Sequence, residues 1–350
     1  MKKKLWTSIL TGFMLCIFAV SVWASEEDTI SDTEEAVTDT TTEDSMVESY
    51  LTGLRVPESI GRQRPVSVML NNIREGAPQS GISSAGVVYE APVEGDITRL
   101  MGIFEDYKNL KRIGSVRSCR DYYLLYSNEF DAIYVHYGQS PFAKTYLLNH
   151  DIDNINGTIM GSISFYRSTD RVSPHNAYTN YELIQAGIDK KEYRRNYKEE
   201  YSGHYTFMPE GEINTLPNGT DANVVHFDNF YHNHPWYEYD ETTGKYKRFQ
   251  FGDIHIDDLT GEQLTCDNII VQYSSCPLYA NTSYLNIDPI TGGTGKYITK
   301  GKAIDIIWMK DSPWGVTHYI TMENQELQIN RGTTWVEIVQ DDRIDEITYE

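Results

Sequence analysis

The chain has 350 residues, with 51 acidic side chains against 30 basic ones and a formal net charge of −21. That balance excludes the basic stripes a nucleic-acid partner calls for, and it disfavours docking on anionic lipid. The length leaves room for two domains, each with its own core.

Lys2, Lys3 and Lys4 precede an almost wholly apolar run from Leu5 to Val22, and Val22-Trp23-Ala24 offers a cleavage site ahead of Ser25. Residues 1–24 therefore read as a secretory signal peptide, with no transmembrane span expected after its removal and an extracellular or cell-envelope location. Cys16 lies inside the apolar run, after Phe13-Met14-Leu15, which are too bulky for a lipidation motif. Residues 25–50 read as an acidic disordered tether. Between Ser25 and Glu48 there are ten acidic residues and no basic ones, too little apolar surface to offset the entropy of ordering.

Three cysteines follow the signal: Cys119, Cys266 and Cys276. The last two bracket a strand-like run, which would hold them roughly 30 Å apart, far outside disulfide reach. Free thiols are expected.

The first domain is placed at 57–203. Short β-rich runs lie at Val66–Leu70, Gly86–Glu90, Ile97–Phe104 and Ala132–His136. Helices are expected over Asp121–Phe130, from Ser140-Pro141 (an N-cap followed by proline), and from Thr179, with Glu182 completing a capping box. Lys191 to Glu200 reads as an exposed helix end. Proline and glycine between Tyr205 and Gly219 mark the boundary. The second domain, 220–342, reads as mostly antiparallel β. Tyr237–Asp240 and Lys245–Phe249 form a hairpin, followed by strands at Ile269–Tyr273, Ala303–Met309, His318–Met322, Glu326–Asn330 and Trp335–Val339. The fold class is α+β or α/β.

Many short motifs then fall in a familiar order. Arg64-Pro-Val-Ser-Val-Met-Leu-Asn-Asn72, Pro78-Gln-Ser-Gly81, Val88-Tyr-Glu90, Ile113-Gly-Ser-Val-Arg-Ser118, Tyr134-Val-His136 and Pro174-His-Asn176 resemble the N-terminal domain of the YerB-like exported proteins of Gram-positive bacteria. Tyr237-x-Tyr-Asp240, Thr243-Gly244-x-Tyr246-x-Arg248, His255-x-Asp257 and Asn268-Ile-Ile-Val-Gln272 resemble its C-terminal half. The resemblance implies a two-domain envelope protein whose first domain is a layered α/β sandwich. Its members are typically lipoproteins, and the family has no assigned function. The position of Cys16 departs from that pattern.

Four constellations carry potential chemistry. Glu90, Glu94, Asp96 and Arg99 surround a turn between two strands, where paired carboxylates can act as general acid and base in glycan hydrolysis, or simply form a solvated turn with an ion pair. Arg117, Arg120, His136, His175 and Asn176, with Asn72 and Arg99, read as a charged ligand pocket for carboxylates or acidic sugars, unless the arginines pair with Glu90, Glu94 or Asp131 inside the fold. Cys119 lies between two of these arginines, where a thiol can become a nucleophile. His232, His234, His255 and Asp257 have the alternation of metal donors on a strand. Hydrogen-bonded or exposed histidines explain that pattern as well, and no metal is assigned. Aromatics crowd the 236–251 hairpin, either to stack on sugars or to pair across it. Gly292-Gly-Thr-Gly295 lacks the context of a nucleotide loop, and no cofactor is expected.

Two functional readings stand at this point. One is a non-catalytic envelope module that binds cell-wall glycan, cell-wall peptide or an envelope partner protein through the arginine–histidine pocket. The other is a hydrolase or transferase on cell-wall polymer, with Glu90 or Glu94 as acid or base.

Overall fold

The structure, a computed structural model, describes residues 45–350. The signal peptide and the tether as far as residue 44 lie outside the described residues. The remainder of the expected tether, 45–50, is not loose chain. Met46–Glu48 pairs antiparallel with Arg55–Pro57, and the buried Ser49 donates to Glu105 Oε1 at 2.5 Å. The body therefore begins before residue 57. No helix among the described residues is long and apolar enough to cross a membrane.

The body is mostly β, built on mixed sheets with few helices, so the expected layered α/β sandwich holds only loosely. An eleven-stranded sheet among the described residues runs through both halves of the chain. From one edge, its order is Thr220–Asp221, Lys302–Lys310, Gly293–Thr299, Asn268–Ser274, Thr334–Gln340, Val87–Pro92, Thr98–Phe104, Val66–Asn72, Ile133–His136 and Asn154–Asn156, with Thr317–Thr321 added beside Lys302–Lys310. The seam between the halves is parallel: Thr334–Gln340 against Val87–Pro92, with Glu337 opposite Glu90. Gly293–Thr299 was not among the expected strands. Its Gly-Thr-Gly start hides a strand that pairs on both sides.

The strand period of two sorts side chains onto the two faces of this sheet. Val88, Leu100, Ile269, Val271, Trp335 and Val339 face a smaller, antiparallel sheet containing Val224–Phe227, Trp236–Asp240 and Lys245–Gln250. Tyr89, Met101, Ile270, Val336 and Ile338 belong to the other core, which takes in Tyr122, Tyr123 and Tyr126. Those tyrosines come from the helix Asp121–Asn128, which ends two residues earlier than expected.

Two further helices start near their expected caps. Ser140 Oγ accepts from Ala143 N at 3.0 Å and caps Pro141–Asn149. The cap of Tyr181–Lys191 is Asn180, accepting from Leu183 N at 2.9 Å, not Thr179. Thr179 is buried and donates to Ser164 O instead. This helix ends at Lys191, with Glu192 in the left-handed region, so the expected continuation toward Glu200 is absent.

Candidate functional site

Glu90 lies near the end of its strand, on the face covered by the smaller sheet. It is fully buried. Asn72 Nδ2 (2.9 Å), Thr98 Oγ1 (2.5 Å), Asn233 Nδ2 (2.8 Å) and the Arg248 guanidinium all donate to its carboxylate. Arg248 is itself without exposure and lies 4.4 Å from the Trp335 ring centroid. It also donates to Tyr237 Oη at 3.0 Å and to His255 Nδ1. Because Nδ1 accepts there, Nε2 carries the proton and donates to Gln79 Oε1 at 2.6 Å. His255 is held neutral by burial and by Arg248, both of which push its pKa well down. Tyr237 Oη donates to Glu337. Burial, then the neighbouring Glu90, push the Glu337 carboxyl up to about 8 against the pull of Arg248.

These groups form a closed polar core. Asn72 belongs to it as well, taking a 3.1 Å bond from Gln79 Nε2. A general acid must reach its substrate, and Glu90 already carries four donors with no face to solvent. Its chemistry here is to tie the two halves of the chain together.

The arginines take a different position. Arg120 Nε and Nη2 grip Glu94 with two bonds of 2.7 and 2.5 Å. Arg99 is 5% exposed, donates to Ser118 O, and forms no carboxylate ion pair among the described residues. Arg117 is half-buried, likewise without a carboxylate, and its Nε is a buried donor with no partner. Burial, then Arg120 and Arg117, bring Arg99 down to about 10. Burial, then Arg120 and Arg167, lower Arg117. Three guanidiniums thus share one neighbourhood and one bound carboxylate, Glu94. A positive field of this kind, partly withdrawn from water, suits an anion.

The histidines divide. His175 is half-buried, within 2.9 Å of Asn71 Nδ2, and is lowered by burial and by Arg117, which places it beside the arginine group. His136 is an interior residue: Nδ1 lies 2.7 Å from Gly138 O and Nε2 3.2 Å from Asn154 Oδ1. Asn176 bridges Arg167 and Ser168 O in a local turn pair. Of the expected pocket, Arg99, Arg117, Arg120 and His175 come together, with Glu94 as counter-ion. Asn72 and Glu90 belong to the closed core, while His136 and Asn176 make local bonds.

Cys119 is fully buried, and burial pushes its thiol up to about 12, opposite to the lowering that activates a nucleophile. Cys119, Cys266 and Cys276 are free thiols. His232 and His234 are exposed, whereas His255 is locked to Arg248, and Asp257 accepts from the backbone N–H groups of Gly81, Ser83 and Leu259. The four do not converge. Trp236 and Phe249 are cross-strand partners stacked at 4.7 Å, the pairing role of the hairpin aromatics. Sequence reasoning missed the Arg248–Tyr237–Glu337 part of the core. Its one signal is the alternation Tyr246-x-Arg248-x-Gln250, which puts an arginine on the same strand face as a core tyrosine.

Comparison with known proteins follows this division of the chain. The N-terminal domain described as "Protein of unknown function (DUF3048)" matches residues 51–194, and its C-terminal domain matches 225–336. A Bacillus subtilis (strain 168) protein described as "Putative lipoprotein YerB" is 30% identical over 342 residues, covering 95% of each chain. The crystal structure of YerB from Bacillus subtilis superimposes with a TM-score of 0.77, covering 87% of this chain and 99% of that one.

Proposed function

This chain belongs to the DUF3048 family, and on that premise we propose that it is an exported, envelope-associated binding protein without catalysis, whose arginine group takes an anionic part of a cell-wall glycan or peptide or of an envelope partner. The signal-like N-terminus and the lipoprotein description of its Bacillus relative support the location. One observation carries the binding role: in a chain of net charge −21, Arg99 and Arg117 lie in one cluster with Arg120 and form no carboxylate ion pair of their own among the described residues. Withdrawing guanidiniums from water without a counter-ion is costly, and a bound anion removes that cost. The hydrolase reading needs a carboxylate that meets polymer. Glu90 is sealed, and Glu94 is held by Arg120.

The test is sedimentation of the full-length protein with purified peptidoglycan, followed by chromatography of the supernatant. Binding that weakens with salt and drops at least fivefold in Arg117→Ala, with an unchanged circular dichroism spectrum, is the expected result. Undiminished binding in that variant removes the arginine site. Released muropeptides that vanish in Glu94→Gln replace the binding reading with the hydrolase.

A further inference from the structure

A concavity lies across the turn that carries Glu94. It has a volume of about 280 Å³ and is walled by Glu94, Asp96, Asn229, Phe230, Leu285 and Arg343, among others. Its residues come from both halves of the chain, brought together by the parallel seam at Val87–Pro92.

Asn229 is the informative wall residue. It is 2% exposed, and both polar atoms of its side chain, Nδ2 and Oδ1, are buried without any partner. Buried carboxamides are normally satisfied, and one that is doubly unsatisfied in the wall of a cleft is met in full by a ligand that supplies both halves of the pair. A secondary amide does so: its C=O accepts from Nδ2 while its N–H donates to Oδ1.

The charges narrow the choice. Arg343 is half-buried, packs its guanidinium 4.5 Å from the Tyr231 ring centroid, and makes no carboxylate ion pair among the described residues, although Asp341, Asp342, Asp345 and Glu346 are its neighbours in sequence. Asp96, held at positive φ in the tight turn, is exposed and also forms no ion pair among the described residues. Phe230 and Leu285 add apolar wall to the same cleft. An amide reader, one free cation, one free anion and a short apolar wall complement a peptide end with a carboxylate, an amine and a hydrocarbon side chain. A neutral N-acetylated sugar offers the amide but leaves both charges unanswered.

We propose that this cleft binds a short peptide, pairing one of its amides with the Asn229 carboxamide and its carboxylate with Arg343. The site is separate from the arginine group. The two share only Glu94, which Arg120 already holds.

The experiment is calorimetric titration of the full-length protein with a mixed tripeptide pool bearing free termini, with the same pool C-terminally amidated, and with a chitotriose of N-acetylglucosamine. The free-acid pool should bind, and amidation should weaken it at least tenfold. Asn229→Ala and Arg343→Ala should each weaken it to a similar degree. Arg343 is at the rim of the cleft, so its variant keeps the test valid if Asn229→Ala unfolds. Failure of the peptide pool to bind overturns the proposal, as does binding untouched by Arg343→Ala. Binding of chitotriose in place of peptide, lost in Asn229→Ala, overturns it in favour of a sugar. Loss of wall sedimentation in Arg117→Ala with peptide affinity retained shows two independent sites.

Discussion

Glu90 and Glu337 stand opposite each other on adjacent parallel strands, one from each half of the chain, and neither is exposed to solvent. Two carboxyls so placed repel if both are ionised, and the Arg248 guanidinium beside them is what makes the arrangement tolerable. Arg248 comes from the smaller sheet, so this contact also fixes how that sheet lies on the larger one.

Arg248→Met is therefore expected to lower the unfolding free energy by about 3–5 kcal/mol, because it leaves buried carboxyls without their cation. Urea denaturation of the full-length protein measures it. In a double-mutant cycle with Glu90→Gln, a coupling of about 1 kcal/mol or more is expected. Additive losses would show that the two groups do not act as a pair.

Stability should fall as pH rises from about 4.5 to about 8. The Glu337 carboxyl has an ordinary value of 4.5 and is raised to about 8 in the folded chain. Across that window the folded state holds a proton that the unfolded state has lost, so the Glu337 contribution is fully present below the window and declines through it. Glu337→Gln keeps the side chain neutral and its bond from Tyr237. Thermal melts between pH 5 and 9 should show a flatter profile for this variant than for wild type. Parallel profiles would mean that Glu337 is not the titrating group.

The thiols should be inert while the chain is folded. Cys119 and Cys266 have no exposure, and burial raises both. Mass spectrometry after brief iodoacetamide treatment at pH 8 should find both unlabelled until denaturant is added. Rapid native labelling of Cys119 would reinstate it as a reactive group.

Asn180→Ala should cost about 1 kcal/mol, the usual loss for an N-cap whose side chain accepts a backbone bond. Thr179→Val tests the competing cap. If the true cap were Thr179, the two variants would exchange their helix-fraying signatures in hydrogen exchange over 181–184.

Much of the architecture was legible from local pattern. The strands at Val66–Asn72, Val87–Pro92, Thr98–Phe104 and Ile133–His136 fall where β-branched and aromatic runs placed them, and Ser140-Pro141 announced its helix. What stayed hidden depended on distance in sequence. Nothing near Glu90 signals that Arg248, 158 residues away, will meet it. Glu94 was one of three carboxylates named as possible partners of the arginines, and only the folded geometry selects it for Arg120.

The same limit applies to the sites. Sequence by itself determined the charge balance, the family resemblance and many of the strand and helix segments. Tertiary structure alone decided that Glu90 is sealed, that His136 is interior, and that Asn229 stands unpartnered in a cleft shared by both halves. The physical reason is that side-chain type and spacing set local conformation, whereas burial, counter-ions and unmet hydrogen bonds are properties of neighbours. Neighbours across a sheet are fixed by pairing and register, which no local run of residues encodes.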